Sequence, residues 1–571
     1  MAKNVMKLLK PSPKHGKNAF DLSHRNIFAM NFGELLPACV VETVPDDKVE
    51  IEISDLLRCA PMVTSPFLRA KQNYDFWFVP YSALWSRFNE FLVDKSEPSS
   101  SAYKNRLYLP HFSTRILHNA LNGSVIPNIM TGSPEDYATR LLDLLGYAGT
   151  LWQVRDPDQY GGASFVNPFR LAAFNMIWYH EYRQKYYDDG TFGIPASVIG
   201  ALGSSAVASL WNFDHLSCDT EENASLNNLM PLVAAMLQPR YRCWKKDLFT
   251  GLMPSTQFGN VSVVDVNLTS DINAVRGLLV NKNGLYYSNS VAEVNTVAGS
   301  SVTVPTTATT TGVTNRFDIL ALRKSEAIQK WRENALRAGN QVEDNFEAHY
   351  GVKPRTHINH HPVYLGSATA PVSIGDINAM AQTDAEVNGS LASVAGKGLS
   401  SFDGKKFTFE TNDYGIVMGI LSCLPEAEYN AMNLDPLNCL LEREDFFFPE
   451  YENLGLQPVE SHFISSVGVN RVIGYAPRYF AYKQKLDRCC GQFMSNEFFE
   501  GTLRQWCSPK FDVDYSGSYT TMPLSVLYVN PEVFNVIFTY GDSDVNPQLL
   551  VDVFNKVTAV RPMSVSGMPS Y

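Results

Sequence analysis

Long apolar runs are missing from this 571-residue sequence. No stretch approaches the ~20 apolar residues a bilayer-spanning helix requires, so no membrane insertion is expected. The opening "MAKNVMKLLKPSPKHGK" interrupts any apolar run at Lys7 and again at Pro11, which excludes a secretory signal core there. Paired cysteines are missing too: the nine thiols (Cys39, Cys59, Cys218, Cys243, Cys423, Cys439, Cys489, Cys490 and Cys507) are odd in number and form no CxxC, the pattern of free thiols in a reducing cytosol. Charge is sparse at 18%, while hydrophobic residues reach 45% and aromatics 12%. That balance excludes a disordered chain and favours β-rich structure with broad contact surfaces.

The charge that is present is unevenly distributed. Residues 1–25 carry Lys3, Lys7, Lys10, Lys14, Lys17 and Arg25 against one acid, Asp21, a local +5 within a chain of net −11. The remainder is therefore −16. An acidic body with a basic arm points to a polyanion reached by the arm alone, or to a solvated tail. The short amphipathic pattern of Lys3, Lys7 and Lys10 beside Val5, Leu8 and Leu9 leaves docking on a neighbouring subunit open.

After the arm, "ACVVETV", "KVEIEIS" and "NYDFWFVP" alternate or run β-rich between Pro and Asp turns. Two helices are expected in the next region. "SPEDYATRLLDLLG" has Ser133 as cap, Pro134 at the first helical position and Gly146 as stop. "NPFRLAAFNMIWYHEYRQKYY" opens at Asn167 and Pro168 and aligns Leu171, Phe174, Trp178 and Tyr182. Residues 262–316 end in a Thr/Ser/Gly tract with little to bury and read as an exposed excursion. A helix from Asp318 to about Ala338 follows, presenting Ile328, Trp331 and Ala335. Strand-like runs then return: "KKFTFET", "YGIVMGILSCL", "SVGVNRVIGYAP", "PLSVLYV", "VFNVIFTY" and "LLVDVF". Strands at both ends around a long middle describe one β domain interrupted by insertions.

Signatures of catalysis are also missing. "RTHINHHP" gathers His357, His360 and His361, but Pro354 and Pro362 bracket an extended segment in which His360 points away from the other two. "FTYGDSDVNPQ" resembles the start of a calcium loop at Asp542, Asp544 and Asn546, yet Pro547 and Val553 stand where a glycine and a bidentate glutamate belong. "AGKGLSSFDGKK" lacks the spacing of a phosphate loop and reads as a flexible turn. There is no GxSxG and no convincing Cys/His nucleophile pair in the sequence. No cofactor, metal site or catalytic residue is expected.

At "FDLSHRNIFAMNFGELLPACVVETV…NYDFWFVPYSALWSRFNEF" the chain resembles the major capsid protein of the Microviridae, on the gokushovirus-like side of that family of single-stranded DNA phages. The resemblance continues in order through "NPFRLAAFNMIWYHEYR", "RCWKKDLFTGLMPSTQFG", "LRKSEAIQKWRENALRAGNQVEDNFEAHYGVKP", "HPVYLGSATAPVSI", "EREDFFFPEYENLGLQPV" and "IGYAPRYFAYKQKLDRCCGQF". It departs from the family pattern around 93–165, 184–238 and 262–316. It implies a mainly β fold, an eight-stranded viral jelly roll (antiparallel β-sandwich) with large helical and loop insertions. The expected parts are a basic N-terminal arm at 1–25, core strands in 26–92 and 400–571, helical and loop insertions at 93–261, a variable surface insertion at 262–316, and a helix plus extended segment returning to the core at 317–399. The implied function is that of a structural subunit of a T = 1 icosahedral virion. The implied partners are copies of itself, the circular single-stranded DNA genome, a small DNA-binding protein, a pilot protein, a scaffolding protein and the host cell surface, with assembly in the bacterial cytoplasm. Genome contact is expected from Lys3, Lys7, Lys10, Lys14, Lys17 and Arg25.

A carbohydrate-binding or hydrolytic β-sandwich protein is the competing reading. It would use an acid pair such as Glu442/Glu444 or Asp542/Asp544.

Overall fold

The computed structural model describes residues 16–93, 107–257, 319–378, 394–493, 503–507, 524–539 and 546–565, apart from short internal stretches, together with the dipeptides 279–280 and 286–287. The chain divides into two units, residues 1–256 with 353–571, and residues 257–352.

Nine strands organise the first unit: β1 (Asn18–Asp21), β2 (His24–Met30), β3 (Leu36–Thr43), β4 (Asp47–Cys59), β5 (Ala70–Pro80), β6 (Val363–Asn378), β7 (Val394–Thr411), β8 (Gly415–Pro425) and β9 (Leu549–Arg561). β1 and β2 pair in succession along β9, so they act as one interrupted strand and the architecture is eight-stranded. Two antiparallel four-strand arrays result. One runs β1/β2–β9–β4–β7 and the other β3–β8–β5–β6, continuous at the β6–β7 pairing. Sequential strands thus alternate between arrays, except that β5 and β6 are neighbours in the second, and the last strand returns beside the first, which is the crossing pattern of a jelly roll.

Period-2 patterning explains which faces meet. On β4, Val49, Ile51, Ile53 and Leu57 are buried while Lys48, Glu50 and Glu52 face outward. The arrays close through Phe76–Phe407 and Phe78–Phe409, with ring centroids 4.7 and 4.8 Å apart. β8 and the second half of β5 are instead buried on both faces. Inserted helices cover the outer side of that array: α1 (Thr114–Asn122), α2 (Pro134–Leu144), α3 (Gly149–Val154), α4 (Phe169–Ile177) and α5 (Met230–Met236) pack together, with α2 against β3 and α4 against β8. The long runs without alternation in "NYDFWFVP" and "YGIVMGILSCL" have this cause.

The turn between β2 and β3 locks sheet and insertion together. Gly33 has φ +79°, and a Cβ there would lie 2.5 Å from the Val529 side chain and 2.8 Å from its carbonyl. Buried Glu34 accepts from the Asn31 N–H at 2.8 Å and pairs with Arg140 of α2 at 3.0 Å, while the Tyr137 hydroxyl donates to the Leu35 carbonyl at 2.7 Å.

Several expectations change. Residues 18–25, read as part of the arm, already form β1 and enter β2. "AGKGLSSFDGKK" lies within the 18-residue strand β7, where Gly404 at φ +85° only shifts the register; pairing with β6 up to Leu399 and with β4 from Leu399 onward makes it strand rather than turn. Core strands β6 and β7 begin before residue 400. "PLSVLYV" contains a helical turn (Leu524–Leu527) and "VFNVIFTY" a 3-10 helix (Pro531–Ile537), because Pro531 follows an Asn530 side chain that accepts from the Glu532 N–H at 3.1 Å. Short apolar runs carry no period long enough to tell helix from strand. The helix at 133–146 is present as α2, with Gly146 left-handed at its end. The one opening at Asn167 is α4, continued by a π turn (Trp178–Tyr182).

In the second unit, α6 (Ile319–Ala338) occupies the expected helix, and α7 (Val342–Tyr350), unanticipated, follows it. Trp331, expected on the packed face, is half-exposed and stacks on His349 of α7. Apart from the two dipeptides, 262–316 lies outside the described residues.

Candidate nucleic-acid interface

The six basic residues singled out in the sequence fall into two groups. Lys3, Lys7, Lys10 and Lys14 lie outside the described residues. Lys17 and Arg25 are tied to the body: Lys17 Nζ lies 2.6 Å from Asp46 Oδ1 and donates to the Asp46 carbonyl at 2.9 Å, and Arg25 grips both carboxylate oxygens of Asp552 on β9. Arg25 holds Asp552 across the β2–β9 pairing of the first array, and Lys17, just ahead of β1, holds Asp46 in the turn between β3 and β4. The Arg25 contact draws the Asp552 carboxyl below its ordinary range and raises the guanidinium. Both belong to a wider pattern on the outer face of this array, where Lys406–Glu50 (2.7 Å), Lys556–Glu52 (2.9 Å) and Lys48–Glu410 (3.3 Å) link neighbouring strands. Exposed pairs of this kind add little stability individually. They do match these five cations with acids.

The other candidates separate as well. His361 is buried against His180, with ring centroids 4.0 Å apart, while His357 and His360 lie outside the described residues. Among the described residues no three His, Cys, Asp or Glu side chains are placed to hold a metal ion. Glu442 caps a 3-10 turn (Arg443–Asp445) and, like Glu444, is solvent-exposed. Asp542 and Asp544 lie outside the described residues, and Asn546 sits just ahead of β9.

One pairing escaped the sequence reading: Cys439 Sγ lies 3.8 Å from His462 Nε2 across 23 residues of chain. No short-range motif signals it, because a 3-10 turn and a strand bring the two together.

A jelly roll with one array covered by inserted helices is the architecture of viral capsid subunits, shared with lectins and cupins. The family model described as "Capsid protein (F protein)" matches residues 11–571, and the chain belongs to that family. It is similar to the capsid protein VP1 of Chlamydia phage 1 (23% identical, covering 98% of this chain and 96% of that protein) and to the capsid protein VP1 of Bdellovibrio phage phiMH2K (21% identical, 98% and 96%). The protein is a structural, non-enzymatic subunit of a small phage capsid, a virion component that assembles with copies of itself. The hydrolytic or carbohydrate-binding alternative is not favoured.

The family-like motifs coincide with structural joints. Arg242 of "RCWKKDLF" donates to Asp75 Oδ2 on β5 at 2.9 Å and to Ser422 Oγ on β8 at 2.8 Å. "HPVYLGSATAPVSI" enters β6, where Gly366 (φ +148°) leaves room for the Phe407 ring.

Proposed function

We propose that the chain builds a closed T = 1 icosahedral shell around circular single-stranded DNA, and that the segment before β1 supplies the inward countercharge. The observation that carries this reading is the segregation of charge. The first 25 residues are +5 on a chain of net −11, and the two basic residues nearest the sheet are held by Asp46 and Asp552. Lys3, Lys7, Lys10 and Lys14 therefore remain as the proposed phosphate contacts, which need charge but no base readout. Residues 262–316 are assigned to the outer surface, facing host or solvent, because their Thr/Ser/Gly composition has little to bury. The small DNA-binding, pilot and scaffolding proteins, and assembly in the host cytoplasm, belong to the same reading.

The test replaces these four lysines with glutamine in the phage context. Particles of normal size that package little DNA are the expected result, read by sedimentation and by absorbance ratio. An isolated arm peptide should bind single-stranded DNA with a log–log salt slope of roughly −3, at about −0.7 per phosphate contact. Loss of particles with undiminished peptide affinity would make the arm a subunit clasp instead.

A further inference from the structure

Beyond β8, a thiol, an imidazole and a carboxylate meet at a cavity of about 310 Å³. Cys439 ends a 3-10 turn (Pro436–Cys439) that the Asp435 side chain caps by accepting from the Leu437 N–H at 3.0 Å. His462 sits in the turn (Ser461–Phe463) that follows the strand Leu456–Glu460. Its Nδ1 lies 3.1 Å from Glu460 Oε2, and Asn470 Nδ2 donates to the same oxygen at 2.7 Å. With Nδ1–H donating to the carboxylate, the lone pair of Nε2 faces Sγ at 3.8 Å. This is the orientation a base needs to take a thiol proton, with a third group holding the base.

We infer that Cys439 is a modification site for small, uncharged, soft electrophiles, with His462 as its base and Glu460 as a positioning residue. The cavity has apolar walls in Phe463 and Phe480, which suit a small neutral carbon electrophile. Asp445 and Glu460 also line it, and their charge disfavours an anionic reagent. In the step, His462 Nε2 accepts the Sγ proton as the sulfur lone pair bonds to the electrophilic carbon, and the leaving group departs with its bonding pair. With iodoacetamide an S–C bond replaces C–I, iodide is released and the proton rests on the imidazole, so no oxidant is required. Burial, then Glu460 and Asp435, push the thiol above its ordinary value and so lower its thiolate fraction, which opposes reaction; any advantage over Cys490 has to come from the proton acceptor His462. The reaction is stoichiometric and leaves the structural role of the chain untouched.

The test alkylates the full-length protein at neutral pH and follows each cysteine by peptide mass spectrometry, with exposed Cys490 as internal reference. Cys439 should react faster than Cys490 with iodoacetamide and lose that advantage with anionic iodoacetate. His462→Gln should slow Cys439 about tenfold or more, leaving Cys490 unchanged. Glu460→Gln should slow it less and move its rate–pH profile to lower pH, because the carboxylate that raises the thiol is gone. Labelling of buried Cys39 or Cys423 would report a misfolded variant, in which case the wild-type order with the two reagents decides. Cys439 trailing Cys490 with both reagents, or an unchanged rate in folded His462→Gln, would overturn the assignment.

Discussion

Asp55 shows how one side chain sets a pH dependence in this fold. On β4 it points inward, accepting from the Tyr74 hydroxyl at 2.9 Å and from Gln72 Nε2 at 3.1 Å. Burial pushes its carboxyl up to about 6, against the opposing pull of these donors. The folded state therefore holds a proton that the unfolded chain releases near pH ~4, so this group's contribution is fully present below that pH and is lost as pH rises toward 6. The difference is on the order of 3 kcal/mol. Asp55→Asn should gain stability over the wild type progressively between pH 4 and 7 and differ little below it, measured by urea denaturation across that range. Equal curves for the two proteins at every pH would show that Asp55 is ionised without penalty. Alternation marks Asp55 as inward-facing in the sequence. Its partners, Gln72 and Tyr74, were not legible, because β5 belongs to the opposite array.

At the scale of elements, the boundary of the arm is the clearest difference between expectation and structure. Charge composition placed it at residue 25, whereas β1 begins at Asn18, since strand pairing is decided by the partner β9 and not by local charge. Removing residues 1–16 should leave the melting temperature of the unassembled chain unchanged. Removing residues 1–25 strips β1 from β9 together with the Arg25–Asp552 pair, and should lower it by several degrees. The same logic accounts for the misread runs. "VFNVIFTY" has strand composition, but Pro531 and the Asn530 cap start a 3-10 helix, and Phe534 packs on Phe32 with ring centroids 4.9 Å apart. α2 was legible because cap, Pro134 and Gly146 all agree. α7 was missed because "VEDNFEAHY" has a weak apolar face.

At the scale of the whole molecule, one exposed apolar region invites a test of how copies assemble. Phe446, Phe447 and Phe448 are each roughly half-exposed, and Leu441 and Leu454 nearby are more so. Such a concentration of apolar side chains on one loop region is expected at a contact between subunits. Replacing the three phenylalanines with serine should leave the secondary structure of the chain intact and abolish or greatly reduce particle formation, as read by sedimentation. Normal particles from this variant would place the main contacts elsewhere.

Periodicity, caps and composition determined the β character, the helices α2, α4 and α6, and the charge asymmetry, because each is encoded within a few residues of chain. The ordered motifs carried the resemblance to a capsid family. Tertiary structure alone decided that β1 and β2 share β9, that β6 and β7 join the two arrays, and that Cys439 meets His462. Those relations depend on contacts between distant segments, and a pairing across hundreds of residues leaves no local pattern in either partner.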